Sequence, residues 1–162
     1  HCFSDAAYSS ATGTYHKGTV ITLDGSPILF KSSIGRNKHT KGSTTQVELE
    51  AAHDSFAYLL RVINLLITMK YKVSTFLYVD NLPLLRSLHN NHMAPSTTGT
   101  PKLQVLRNAI LKEVIKAGYV PGTENPADVY TKSFTTSKLK EYFKLKGNEY
   151  LQYEYNNQPK LI

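Results

Sequence analysis

One stretch decides the fold of this chain, Thr44-Thr45-Gln46-Val47-Glu48-Leu49-Glu50-Ala51-Ala52, and it opens the longest helical pattern in the sequence. Apolar residues recur from here in steps of three and four, and no Gly or Pro interrupts residues 45–69. This period is typical of an amphipathic helix packed on a larger surface. Thr45 fits an N-cap, and Glu48 three residues later fits a capping box. Glu48 is therefore either a capping carboxylate or a functional group that the helix presents.

Length and composition predict a single domain with a basic surface. The 162 residues are 41% hydrophobic, which is enough to fill one core. The formal net charge of +7 favours a polyanionic partner, although many soluble proteins share such a charge. No run of 18 apolar residues occurs, so we expect no membrane partner. The single cysteine, Cys2, excludes an internal disulfide and is predicted to be a small core residue.

The segments on either side of the long helix predict an α/β domain. Strand patterns occupy residues 2–8, 17–23 and 28–33, and the turn Asp24–Pro27 predicts a hairpin, so the first third should be an antiparallel meander. Residues 73–80 form a further strand pattern that ends in an acid. A strand, a long helix and a second strand make a crossover unit, which predicts that the first and last of these strands are parallel.

Shorter elements complete the second half of the sequence. They are helices at 84–88 and 103–111, a strand at 114–120, a short helix from Pro126 and a basic helix at 135–146. We assign residues 1–146 to the domain and residues 147–162 to a loosely held C-terminal tail. Because the chain opens on His1 rather than Met and enters a strand almost at once, we expect it to be a piece of a longer polypeptide.

Four acids occupy positions that this topology would bring together. Asp5 lies within an apolar strand and Asp80 closes another, while Glu48 and Asp128 each lie in the first turn of a predicted helix. Converging carboxylates repel one another, so a cluster of them requires cations. Oxygen ligands without organised Cys or His imply Mg²⁺ or Mn²⁺. The chemistry best served is phosphoryl transfer with two metal ions about 3.5–4 Å apart.

Four short motifs occur in order along the chain. They are Phe3-Ser4-Asp5-Ala6-Ala7-Tyr8, Ser43-Thr44-Thr45-Gln46-Val47-Glu48, Tyr78-Val79-Asp80-Asn81 and Asn125-Pro126-Ala127-Asp128-Val129-Tyr130-Thr131-Lys132. Together they resemble the ribonuclease H domain of copia-type (Pseudoviridae) long-terminal-repeat retrotransposons, with a spacing similar to that of yeast elements. The resemblance covers residues 2–145. It implies a ribonuclease H-like α/β fold, a five-stranded mixed sheet flanked by helices on both faces.

The resemblance also implies an activity, the hydrolysis of the RNA strand of RNA–DNA hybrids during reverse transcription. Asp5, Glu48, Asp80 and Asp128 would be the catalytic ligands of two Mg²⁺ ions, with Mn²⁺ as a substitute. One metal would activate water and the other would stabilise the leaving 3′ oxygen, which gives a 5′-phosphate product. Glu48 is preferred to Glu50, because the two point about 200° apart on a helix. The partner would be an upstream reverse transcriptase domain of the same Pol polyprotein, in cytoplasmic virus-like particles or in the nucleus.

Contacts with the hybrid would depend on the 2′-hydroxyl and on duplex shape rather than on base sequence. The candidates for these contacts are Thr44, Thr45, Gln46, Asn81, Arg36, Lys38, Lys41, Lys102 and Arg107. Helix capping is the alternative role for Thr45 and Asn81. The basic segment 36–42 is either a solvated loop or a phosphate-contacting loop.

Two other functions are compatible with the same fold. A non-catalytic or host-retained ribonuclease H-like module would bind nucleic acid or a protein partner, but degenerate domains usually lose at least one acid, and all four are present here. An integrase-like nuclease would carry its essential Glu on a late helix, whereas Glu48 lies on an early one. Presence of all four acids favours an active nuclease.

Overall fold

The computed structural model describes residues 1–9, 12–36, 44–90 and 101–132 of the chain. Several sequence predictions lie outside these residues: the loop cations Lys38 and Lys41, the basic helix at 135–146 and the tail at 147–162. The side chain of Arg36 is likewise outside the description, although its backbone ends a strand.

A five-stranded mixed sheet organises the described residues. The elements are β1 (Cys2–Ser9), β2 (Thr14–Leu23), β3 (Ser26–Arg36), α1 (Thr44–Thr68), β4 (Phe76–Val79), α2 (Leu82–His89), α3 (Pro101–Leu111), β5 (Lys116–Tyr119) and a 3-10 helix (Pro126–Tyr130). The strand order is β3-β2-β1-β4-β5, with β1, β2 and β3 antiparallel and β1, β4 and β5 parallel. This order confirms both the predicted meander and the predicted crossover through α1.

The hairpin between β2 and β3 is a two-residue turn, because Leu23 pairs with Ser26. Asp24 and Gly25 have φ values of 47° and 81°. A tight hairpin turn of type I′ needs two left-handed residues, and the Asp-Gly pair meets that need.

Helices α1, α2 and α3 cover one face of the sheet. Alternate strand residues such as Cys2, Leu77 and Val79 are fully buried against them and form the main apolar core. On the opposite face, Phe3 stacks on Tyr78, and the 3-10 helix contributes the buried Ala127 to a smaller cluster. Cys2 is a fully buried core residue, as predicted, and this burial raises the pKa of its thiol to about 12.

The first turn of α1 differs from the sequence prediction. The helix begins at Thr44, so Thr45 is already helical and the predicted N-cap at Thr45 is wrong. A capping residue must keep a non-helical backbone. Three consecutive residues, Ser43–Thr45, carry hydroxyl groups. Their capping preferences are similar, so the sequence alone could not predict which of them caps the helix. As a result Glu48 lies in the second turn and not in the first. No helix among the described residues is long and apolar enough to cross a lipid bilayer.

Candidate metal centre

The parallel pairing of β1 and β4 sets two aspartates side by side. Ser4 pairs with Val79 at the end of the ladder. Asp5 and Asp80 are the next residues on each strand, at the point where β4 ends and the chain turns toward α2. The sequence-predicted adjacency of these two acids is therefore confirmed.

Helix α1 adds a third carboxylate to this pair. Its crossing over β1 brings Glu48 within hydrogen-bond reach of the backbone N–H of Ala6, which donates to the Glu48 carboxylate. Oxygen atoms of Asp5, Glu48 and Asp80 all lie within 4.8 Å of one another. Glu50 does not belong to this group and instead forms an ion pair with Lys102 of α3. The ambiguity at Glu48 is thus resolved by the tertiary structure, because its carboxylate turns to the other acids and not to the helix terminus.

The three carboxylates are strongly perturbed. Burial raises the pKa of Glu48 to about 9, with further contributions from the charges of Asp80 and Asp5. The pKa of Asp80 rises to about 6 through burial and the neighbouring Asp5. Burial also raises the pKa of Asp5, against the lowering effect of a hydrogen bond from Thr131. Burial and mutual repulsion favour the protonated forms of these carboxyl groups. A bound cation would offset the same repulsion in place of the protons, so the site favours cation binding.

One oxygen in the cluster is unsatisfied. Glu48 Oε2 is buried and has no hydrogen-bond partner in the part of the chain that the structure describes. A buried acceptor without a partner costs about 1–3 kcal/mol, and more when it is charged. The hard oxygen ligands and this free acceptor fit a divalent cation such as Mg²⁺ or Mn²⁺.

Asp128 lies at the edge of the cluster and outside its centre. It occupies the first turn of the 3-10 helix, as predicted, but its oxygens are not among those that converge within 4.8 Å. Its two oxygens lie 2.6 Å and 2.8 Å from Nζ of Lys132. Its charge nevertheless raises the pKa of both Asp5 and Asp80. Asp5, Glu48 and Asp80 thus converge within 4.8 Å, while Asp128 pairs with Lys132 beside them and its role as a fourth ligand stays a prediction.

Two polar residues that sequence reasoning missed attach the 3-10 helix to β1. The fully buried Asn125 donates to the backbone oxygen of Ser4 at 2.9 Å and accepts from the N–H of Ala127 at 3.1 Å. Thr131 donates from its hydroxyl to Oδ2 of Asp5. The Asn-Pro pair at residues 125–126 is a turn signal that could have identified the first attachment. Nothing local identifies the second, which joins residues 126 positions apart.

Among the predicted hybrid contacts, three described residues have structural partners. Asn81 caps α2 by accepting from the N–H of Leu84 at 2.8 Å, which confirms the capping alternative. Lys102 pairs with Glu50. Arg107 donates through Nε and Nη2 to the backbone oxygen of Ser87, at 2.8 Å and 2.6 Å. These bonds connect α3 to α1 and α2, so Lys102 and Arg107 have roles in helix packing that the sequence did not predict.

Thr44, Thr45 and Gln46 surround the beginning of α1. Thr44 is exposed, and the other two are partly exposed. They precede Glu48 by two to four residues on the same helix. Their contact with nucleic acid stays a prediction, as does that of Arg36, Lys38 and Lys41.

No protein-family model and no curated protein matches this sequence. Solved structures do match the fold. LC11-RNase H1, isolated from compost by a metagenomic approach, is similar over 80% of this chain and 90% of its own, with a TM-score of 0.63 and 16% identity. The chain has a ribonuclease H-like fold.

Two further structures have the same fold. LC11-RNase H1 in complex with an RNA/DNA hybrid aligns over 85% of this chain and 97% of its own, with a TM-score of 0.61 and 13% identity. RNase H1 from the halophilic archaeon Halobacterium salinarum NRC-1 aligns over 81% and 92%, with a TM-score of 0.54 and 17% identity. At identities this low, the structural similarity establishes the ribonuclease H-like architecture alone. The chemistry has to be argued from the carboxylate cluster.

Proposed function

We propose that this chain is a metal-dependent ribonuclease H that hydrolyses the RNA strand of RNA–DNA hybrids. The observation that carries the proposal is the convergence of Asp5, Glu48 and Asp80 within 4.8 Å at one end of a ribonuclease H-like sheet. Burying three acids together destabilises the folded chain unless a bound ligand offsets their repulsion. The buried cluster therefore supports a cation-binding role for this end of the sheet.

The donor set indicates which ligands would hold the cations and what each residue does. Asp5, Glu48 and Asp80 would together hold the cations, since their carboxylate oxygens all lie within 4.8 Å of one another. Two Mg²⁺ ions, or Mn²⁺ in their place, would supply an activated water and charge stabilisation at the leaving oxygen. Asp128 would add negative charge at the edge, held in place by Lys132.

An RNA–DNA hybrid is the substrate that this surface and fold favour. LC11-RNase H1, which shares the fold, has been solved with such a hybrid. The net charge of +7 suits a polyanion, and the hydroxyl and amide side chains of Thr44 and Gln46 lie at the start of α1, the helix that carries Glu48. Hydroxyl and amide groups would recognise the 2′-hydroxyl that distinguishes the RNA strand.

The four sequence motifs support a more specific setting. On their basis we assign the domain to the Pol polyprotein of a copia-type retrotransposon. It would act after a reverse transcriptase domain, in cytoplasmic virus-like particles or in the nucleus. The alternative is a non-catalytic module that binds the hybrid without cleaving it, and a cleavage assay separates the two.

The test is cleavage of a hybrid whose RNA strand carries an end label, in Mg²⁺ and in EDTA. We expect wild-type protein to cleave the RNA in Mg²⁺ only, and Asp80→Asn to lose at least about 100-fold in rate, because a lost ligand weakens both metal binding and charge stabilisation. Asp24→Asn is the matched control. It makes the same change at a left-handed hairpin position that Asn tolerates well, remote from the cluster.

Two results would overturn the proposal. One is equal cleavage by wild type and Asp80→Asn. The other is binding of the hybrid without cleavage by wild type, even when it is joined to its polymerase domain, and that result would establish the non-catalytic module instead. Cleavage of an all-DNA duplex at the same rate as the hybrid would also contradict the proposed selectivity.

A further inference from the structure

We infer that Thr131 is a positioning residue that orients Asp5 for metal binding, an inference that rests on the proposed function. Thr131 follows the 3-10 helix and is only 5% exposed. Its hydroxyl donates to Oδ2 of Asp5, an atom of the carboxylate that stands beside both Glu48 and Asp80. Nothing in the charge pattern of the sequence marks this threonine as part of the site.

The hydroxyl of Thr131 has two acceptors within reach and only one proton. Oδ2 of Asp5 is one acceptor, and the backbone oxygen of Asp128 at 2.9 Å is the other. A bond to a carboxylate is about twice as strong as a bond between neutral groups. The proton therefore goes to the Asp5 carboxylate, and the backbone oxygen of Asp128 is the weaker, competing acceptor.

The surrounding backbone is shaped to bring Thr131 this close. Gly18 of β2 pairs directly with Asp5 of β1. A Cβ at Gly18 would lie 2.3 Å from the backbone oxygen of Ala127 and 3.1 Å from Cγ2 of Thr131. The missing side chain at Gly18 thus allows the end of the 3-10 helix to pack onto the sheet. Asn125 fixes the beginning of the same helix through the backbone oxygen of Ser4.

A fixed Oδ2 has a direct consequence for the metal site. The Thr131 bond restricts rotation of the Asp5 carboxylate from outside the cluster, in addition to the hydrogen bond that Asp5 shares with Asp80, so the carboxylate is oriented before a cation binds. Hydrogen bonds from outside the ligand set typically change metal affinity or activity by about 10–100-fold. Loss of the hydroxyl should leave Oδ2 buried without its donor and weaken cation binding within this range.

The experiment compares wild type with Thr131→Val, Thr131→Ser and Thr19→Val. Thr19 supplies the matched control, because its buried hydroxyl bonds to that of Ser55 at 2.7 Å rather than to a site carboxylate. Calorimetric titration with Mn²⁺ measures affinity without reference to activity, and steady-state cleavage separates kcat from KM. If Thr131→Val does not fold, as judged by circular dichroism, Thr131→Ala replaces it.

We expect the hydroxyl-free variant to bind Mn²⁺ at least about 10-fold more weakly and to lose kcat with little change in KM for the hybrid. Thr131→Ser should restore both, and Thr19→Val should change neither. Wild-type affinity in the hydroxyl-free variant, an equal loss in Thr19→Val, or no rescue by Ser would each overturn the inference. Wild type that binds Mn²⁺ but cleaves no hybrid would refute the proposed function alone, and the Mn²⁺ affinities would still decide the role of Thr131. Absence of Mn²⁺ binding by wild type would overturn both.

Discussion

Replacing Glu48 by Gln should stabilise the metal-free protein at neutral pH and remove its stabilisation by divalent cations. Gln keeps the size of the side chain and an oxygen that can accept from the N–H of Ala6. Its amide can also donate to a neighbouring carboxylate of Asp5 or Asp80. The substitution therefore removes a group that must take up a proton on folding, and with it a metal ligand, while leaving the packing of α1 in place.

The magnitude follows from the pKa of Glu48, which the structure raises from 4.5 to about 9. At pH 7 the unfolded chain carries an ionised Glu48 and the folded chain a protonated one, so folding must take up a proton. The gap of about 2.5 pH units costs about 3 kcal/mol as an upper bound. Gln avoids this cost, so the melting temperature should rise by up to about 6–12 °C in a domain of this size.

The sign of the pH dependence is set by the same shift. Between pH 4.5 and pH 9 the folded protein binds more protons at Glu48 than the unfolded chain does. The stability of metal-free wild type should therefore be intact below this window and fall as pH rises through it. The Glu48→Gln variant should show a weaker fall, so the two melting curves should converge near pH 4.5.

The assay is thermal unfolding in EDTA and in Mn²⁺ across this pH range. Glu50→Gln is the matched control, since it makes the same change two residues away on α1, where the carboxylate pairs with Lys102. We expect Glu50→Gln to melt at or slightly below wild type and to keep the Mn²⁺ effect. Two results would refute the reasoning. One is a Glu48→Gln variant that melts below wild type in EDTA at neutral pH. The other is a rise in its melting temperature with Mn²⁺ as large as that of wild type.

Three further outcomes are expected. Gly18→Ala should lower the free energy of unfolding by about 1–3 kcal/mol in a urea titration, because a Cβ there would lie 2.3 Å from the Ala127 oxygen; an unchanged midpoint would contradict that close packing. Cys2 should resist thiol reagents at mildly alkaline pH in the folded protein, because its buried thiol has a pKa of about 12; labelling as fast as in the urea-unfolded chain would show it to be accessible. Asp128→Asn should lose less Mn²⁺ affinity than Asp80→Asn, because only Asp80 belongs to the three-residue cluster; equal losses would make Asp128 a full ligand.

Local patterns predicted the helices and strands, because apolar residues recur with a different period in each kind of element. The apolar spacing after Thr44 needed no tertiary information to indicate a helix, and the Asp24-Gly25 pair is sufficient for a tight hairpin. A strand, a long helix and a strand then leave few topologies open. This reasoning predicted the adjacency of Asp5 and Asp80, which follows from the parallel pairing of β1 with β4.

Capping and pairing were less predictable, because several residues competed for each role. Ser43, Thr44 and Thr45 have similar capping preferences, and only the backbone conformation selects among them. Lys102 was equally suited to a phosphate or to a carboxylate until the packing of α3 on α1 brought it to Glu50. A charged side chain pairs with an opposite charge that lies close to it, and the tertiary structure determines which charges lie close together.

The sequence by itself determined the antiparallel meander, the crossover through a long helix, the strand positions of two acids and the helix that carries a third, because these depend on residue order and periodicity, while the ribonuclease H-like layout was implied by the resemblance of the four motifs. Only the tertiary structure decided which carboxylates meet. It turned Glu48 toward the strands, left Asp128 at the edge with Lys132, and placed Thr131 on Asp5 across 126 positions of chain. The physical reason is that repulsion, desolvation and hydrogen bonding among buried groups act over a few ångströms. Distances on that scale are set by packing rather than by local sequence.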